Sequence, residues 1–199
     1  MYKIIIVAIA IFSLSGCTTT QPPMTEFRVN TELKIINSDS TKCLDESLKV
    51  TQAFSTSAIM SVKMNYTQGP YKQFVYSESQ WADSPNRAIT SEIVKLLREA
   101  KLFKNVQISK SRSKSDFILE INIEDFMQYF NNNSTKSYAN VIVSLSLLDA
   151  ATNSVIATNT FESRVDTKSL DANGGVEALN KALANVLEQA NAWFIGVCK

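Results

Sequence analysis

The 199-residue chain contains no histidine. That removes the commonest general base near neutral pH and the commonest metal ligand. Cysteine is scarce at three, with no Cys-x-x-Cys arrangement, which leaves no thiol redox pair and no cysteine-rich zinc site. Glycine is scarce at five. There is no Gly-x-Ser-x-Gly elbow, and Gly174-Gly175 lacks the remaining loop and the lysine of a phosphate cradle. Neither charge sign dominates: 20 basic residues face 19 acidic ones, so no basic footprint points to nucleic acid. No apolar run reaches the roughly 20 residues of a permanent membrane helix. Glu120 and Glu124 share one face of a strand with Asp125 opposed to them; such carboxylates read more simply as a solvent-facing or partner-facing edge than as an acid pair or a calcium site. No cofactor, no metal and no enzymatic activity are expected.

What is present begins at the first residue. Lys3 precedes an apolar run from Ile4 to Leu14 broken only by Ser13, then Leu14-Ser15-Gly16-Cys17 and a polar stretch to Pro23. A short basic end, an apolar core and small residues before a cut site make a signal peptide. The ending Leu-Ser-Gly-Cys resembles the lipobox of bacterial lipoproteins, which implies cleavage before Cys17 and lipid on its sulfur. Each buried CH2 of such chains contributes about 0.8 kcal/mol, so two or three chains anchor firmly. Thr18, where aspartate is absent, favours the outer membrane by resemblance to lipoprotein sorting. Residues 1–16 are thus read as signal, 17–31 as lipidated N-terminus and tether, and 32–199 as one domain. Cys43 and Cys198 remain, in a compartment where disulfides persist; they read either as a pair joining the start of the domain to its last turn or as two separate thiols.

The rest of the chain alternates at strand and helix periods. Leu48–Phe54, Ala58–Tyr66 and Gln73–Ser79 read as strands, with Gly69-Pro70 a turn. Ser84 as cap and Pro85 at the first helical position start a helix whose stripe is Ile89, Ile93, Leu96, Leu97 and Ala100, running to about Lys101. Val106–Ser109 is a strand. Lys110, Arg112 and Lys114 read as a solvated hairpin tip, or else as a phosphate or headgroup contact. Asp116–Phe130, Tyr138–Leu148 and Val155–Val165 form an antiparallel meander, the first two strands alternating with one dry face each. After the break at Gly174-Gly175, Asn173 caps a second helix carrying Val176, Leu179, Leu183, Val186 and Leu187, which Gly196 ends. The expected fold is α+β: a two-layer sandwich, a mainly antiparallel sheet covered on one face by two amphipathic helices.

Several of these residues together carry a family resemblance. Trp81, the helix opened by Pro85, Phe103 and Val106 at a Phe-x-x-Val spacing, Asp116 before the apolar strand Phe117-Ile118-Leu119, and the closing helix with Gly175, Ala178, Leu179, Ala182 and Trp193 occur in order over about residues 48–194. The pattern resembles the ABC-type transport auxiliary lipoproteins, partners of MCE-domain proteins, including the lipoprotein of the paraquat-inducible system. The stretch before residue 48, with Cys43, departs from that pattern. The resemblance implies an outer-membrane accessory protein that docks a periplasmic MCE assembly for lipid transport. Its expected partners are an MCE-domain protein and the membrane through the anchor, with a phospholipid and further copies of the chain each left open. Trp81 is the candidate interface residue, with a core position as the equal alternative; Trp193 reads as core. A general envelope-assembly lipoprotein (for lipopolysaccharide, pilus or secretion machinery) and a small lipid carrier with its own cavity are the competing functions.

Overall fold

The computed structural model describes residues 22–35 and 42–199. Residues 1–16, read as a signal peptide, and Cys17 lie outside the described residues. Nine strands form one mixed sheet: β1 (Thr25–Phe27), β2 (Ser47–Val50), β3 (Phe54–Ser55), β4 (Lys63–Gln68), β5 (Lys72–Trp81), β6 (Asn105–Ile108), β7 (Phe117–Phe130), β8 (Ser137–Asp149) and β9 (Val155–Asp166). Helix α1 spans Pro85–Ala100 between β5 and β6, and α2 spans Ala172–Val197 at the end. The architecture is the α+β sandwich expected, with both helices over one face of a mainly antiparallel sheet.

β7 is the spine. One of its edges pairs along its whole length with β8, which pairs in turn with β9, all antiparallel. Its other edge takes β2, β3 and β4 one after another, all parallel. Alternation along a strand shows which face is dry but not which edge meets which neighbour, so these short parallel pairings are additions to the expected meander. β6 lies outside β2 and parallel to it. The segment with Lys110, Arg112 and Lys114 is therefore a return loop around β2 and not a hairpin tip, and Lys49 Nζ donates to Ser113 O across it at 2.6 Å. The expected strand Ala58–Tyr66 begins as a turn and becomes strand only at Lys63.

The core fills the space between sheet and helices. Ala139, Val141, Val143, Leu145 and Leu147 of β8 meet Leu179, Leu183, Val186 and Leu187 of α2, all buried. Phe103, at the exit of α1, meets Phe117 and Phe194 edge-on at ring separations of 6.3 and 6.2 Å, joining sheet and both helices at one end. Asp116 fixes the start of β7: its carboxylate accepts from Ser47 N at 2.7 Å and Ser47 Oγ at 2.6 Å. Those bonds hold its carboxyl below the ordinary range.

At the other end α2 starts on the sheet. Asp171, not Asn173, is the cap: its carboxylate accepts from Gly174 N at 2.8 Å, and that bond lowers its pKa. Gly174 and Gly175 therefore sit in the first turn of the helix instead of breaking the chain before it. A Cβ on Gly175 would lie 2.0 Å from Gln128 Oε1. The helix likewise runs past Gly196 to Val197.

Residues 25–31, expected in the tether, are placed on the domain. β1 pairs with β5, and the chain then runs along α2. Asn30 N donates to Asn180 Oδ1 at 2.8 Å, and Lys34 N to Glu188 Oε1 at 3.1 Å. Four extended residues and eight helical ones both rise about 12–13 Å, so arm and helix stay in register. Thr31 Oγ1 donates to Glu92 of α1, which clamps the arm across both helices. Cys43 and Cys198 are bonded, with an S–S length of 2.07 Å and Cα atoms 5.3 Å apart.

Candidate docking face

With the helices on one side, the other face of β7–β9 is bare, and its composition follows from one irregularity. The register of β7 against β8 shifts between Ile123 and Asp125. A bulge inserts one residue and reverses the parity after it. Leu119, Ile121 and Ile123 face the core before it, and Phe126, Gln128 and Phe130 after it, opposite Val141, Ala139 and Ser137. The expectation that Asp125 opposes Glu120 and Glu124 is corrected by this shift. Glu124 accepts from Ser144 Oγ, and Asp125 pairs with Ile142, both residues on the bare side. Along β7–β9 that face carries Glu120, Glu124, Asp125, Glu162 and Asp166 against Arg164.

Its side chains are held by one another. Asp125 accepts from Tyr129 Oη at 2.8 Å and Asn140 Nδ2 at 2.9 Å. Tyr129 stacks on Tyr138 with centroids 5.2 Å apart and planes 10° apart. The Arg164 guanidinium lies 3.3 Å from the centre of the Tyr138 ring, a cation–π contact. Partial burial pushes the Asp125 carboxyl up, against its two hydrogen bonds. The Tyr129 hydroxyl is raised by burial and by its bond to Asp125. Two hydroxyl pairs, Ser144 with Thr160 at 2.6 Å and Ser146 with Thr158 at 2.9 Å, continue the ladder. A groove of about 1040 Å³ opens where this face meets the ends of β4 and β9, lined by Thr67, Tyr129, Tyr138, Arg164 and Asp166 among others.

Phe54 supplies the apolar element. β3 pairs it with Asn122, so it shares the bare side, and it is 70% exposed. Sequence reading missed it, because Phe54 shares one face with Leu48 and Val50 in the expected strand Leu48–Phe54. Trp81 is elsewhere: it is 3% exposed and packs on Phe126 at 5.5 Å. It sits at the parallel edge where β1 covers β5, so its indole is core and presents nothing to a partner. Trp193 is half-buried against Phe161 and Phe194. Among the described residues no cluster of carboxylates and cysteines could hold a metal ion.

The family described as ABC-type transport auxiliary lipoprotein component matches residues 46–191. The chain belongs to that family. This auxiliary lipoprotein thus has the role of an accessory component of ABC-type transport. Its arm and both bonded cysteines lie outside the matched span. XCC0632 from Xanthomonas campestris shares the fold at a TM-score of 0.75 and 18% identity, over 87% of this chain and 96% of that one. A second solved structure, described only as an uncharacterized protein, matches at a TM-score of 0.62 and 11% identity, over 88% and 98% of the two chains. No curated protein matches the auxiliary lipoprotein.

Proposed function

We propose that the auxiliary lipoprotein is anchored in the outer membrane by lipid on Cys17 and docks the periplasmic MCE-domain assembly of a lipid transporter on the bare face of its sheet. The observation that carries this reading is the exposed Phe54 set in an acidic, internally hydrogen-bonded sheet face. Contacts already held in place lose little freedom on binding, which favours association. An exposed aromatic within such a surface is the usual energetic anchor. Along β7–β9 five acids face one arginine, and Lys49 of β2 on the same side is tied to Ser113 O; the acidic excess calls for a basic partner surface, which speeds encounter and sets orientation. The competing idea of a lipid carrier needs room between the layers, where Leu48, Leu119, Leu183 and Phe194 are fully buried.

In-cell crosslinking to the MCE-domain protein tests the reading. Phe54→Ala should weaken capture by on the order of 30-fold, the effect of losing about 2 kcal/mol at a central anchor. Glu120→Lys with Glu162→Lys should weaken it further and reduce its dependence on salt. Wild-type capture by folded, lipidated variants of both kinds removes this face from the interface. Labelled palmitate should enter the wild type and not Cys17→Ala; equal labelling removes the anchor.

A further inference from the structure

The turn between β4 and β5 is apolar where a soluble hairpin tip is ordinarily polar. Tyr71 is 95% exposed, Val75 47% and Phe74 40%, and Pro70 stands beside Tyr71. The neighbouring turn after β7 is bonded to this one. Gly69 N donates to Phe130 O at 3.1 Å, and Gln68 Nε2 to Asn132 O at 3.2 Å. The two stretches 66–75 and 130–138 hold Lys72 and Lys136 and no acid. Exposed aromatics beside lysines are the composition of a protein part that rests in the headgroup layer of a bilayer.

The path of the N-terminus points the same way. β1 runs parallel to β5, so the chain enters it from the side of this turn. Glu26 is level with Gln80, and Gln80 with Lys63. From Lys63 to Gly69 is six residues of β4, or about 20 Å. From Glu26 back to Cys17 is nine residues, which reach about 30 Å at most. A lipid on Cys17 can therefore stand no more than about 10 Å beyond the turn, so the length of chain between them allows the turn to reach the anchoring bilayer.

We infer that the β4–β5 turn is a second membrane contact, with Tyr71, Phe74 and Val75 seated at the interface of the anchoring bilayer and Lys72 and Lys136 on its anionic headgroups. This rests on the lipidation of Cys17. The contact fixes the tilt of the domain, which a single point of attachment does not do.

The test uses the full lipidated chain in vesicles of phosphatidylethanolamine and phosphatidylglycerol with brominated acyl chains. Tyr71→Trp places a reporter at the turn. Val155→Trp places one at the far end of the sheet, where β8 turns into β9. Roughly half of the added Tyr71→Trp emission should be quenched by bromolipid, with weak acrylamide quenching; the Val155→Trp signal should respond to acrylamide alone. Equal acrylamide quenching of both variants in protein that floats with the vesicles overturns the inference and leaves the anchor standing. Acrylamide protection at Tyr71→Trp without bromolipid quenching means that another copy of the chain covers the turn, and also overturns it. Protein that does not float, with no acyl mass on Cys17, overturns anchor and turn together.

Discussion

Gly175 gives a sharp test of how α2 is seated. A methyl group there would lie 2.0 Å from Oε1 and 2.7 Å from Cδ of Gln128. The amide end of a glutamine can ordinarily swing aside, but this one is 2% exposed. It accepts from Tyr76 Oη at 2.9 Å and donates to Ser137 Oγ at 3.0 Å. Moving it breaks two hydrogen bonds of about 1 kcal/mol each and leaves a buried amide short of partners, a further cost of about 1–3 kcal/mol. Alanine returns at most about 1 kcal/mol of helix propensity over glycine. Gly175→Ala should therefore destabilise the protein by about 2 kcal/mol or somewhat more. In a Gln128→Ala background the obstacle is gone, and the same change should stabilise by up to about 1 kcal/mol. The coupling in this double-mutant cycle is then about 3 kcal/mol, read from urea unfolding followed by tryptophan fluorescence. A Gly175→Ala variant that is more stable than wild type with Gln128 in place refutes the account of the helix seat.

Other changes separate the remaining contributions. Phe194→Ala removes a ring that is fully buried at the junction of α1, α2 and β7, and should lower the unfolding free energy by about 3–5 kcal/mol in urea. Cys43→Ala opens a link across 155 residues; chain entropy sets its loss at up to about 5 kcal/mol, and reductant should lower the wild type's midpoint while leaving the variant's unchanged. Asp125 predicts a pH effect. Burial raises its carboxyl above the ordinary range, so the folded chain holds this proton to higher pH than the unfolded chain does. The associated stability is complete below about pH 4 and is lost as pH rises through the folded value. Asp125→Asn lacks this loss, so its stability relative to wild type should improve from pH 3 to pH 7 in parallel urea titrations.

Legibility in the sequence followed the physics of each signal. β8 was readable because its alternation is unbroken: Val141, Val143, Leu145 and Leu147 all reach the core. α1 was readable because Pro85 marks its start and its stripe is continuous; Ser84 occupies the cap position without a side-chain cap bond. β7 misled after Ile123, since a bulge leaves no compositional mark and one inserted residue carries Asp125 to the other face. The cap of α2 is ambiguous in the sequence because Asp171 and Asn173 are both good caps; the bond from Gly174 N to the Asp171 carboxylate decides it. Trp81 was undecided for a related reason: a large aromatic before a helix serves core or surface equally well until the covering strand, β1, is located. The proposed docking face is invisible in the sequence because it is a property of which side the helices leave open, and sequence periodicity does not label the two sides.

The distribution of charge ties the two surfaces together. The bare face carries five acids against Arg164, while the paired turns at one end of the sheet carry Lys72 and Lys136 and no acid. Near an anionic bilayer the face is repelled and the turns are attracted, each by about 1 kcal/mol per charge within a screening length of roughly 8 Å. With the proposed anchor and turn contact, the sheet would stand on its turn end with the acidic face directed sideways, toward the proposed partner. Reversing Lys72 and Lys136 to glutamate would remove that bias without touching Phe54 or the acidic ladder. Capture of the proposed MCE-domain partner should then fall on anionic vesicles and persist on neutral ones. Equal capture on both would show that the charge pattern does not orient the domain.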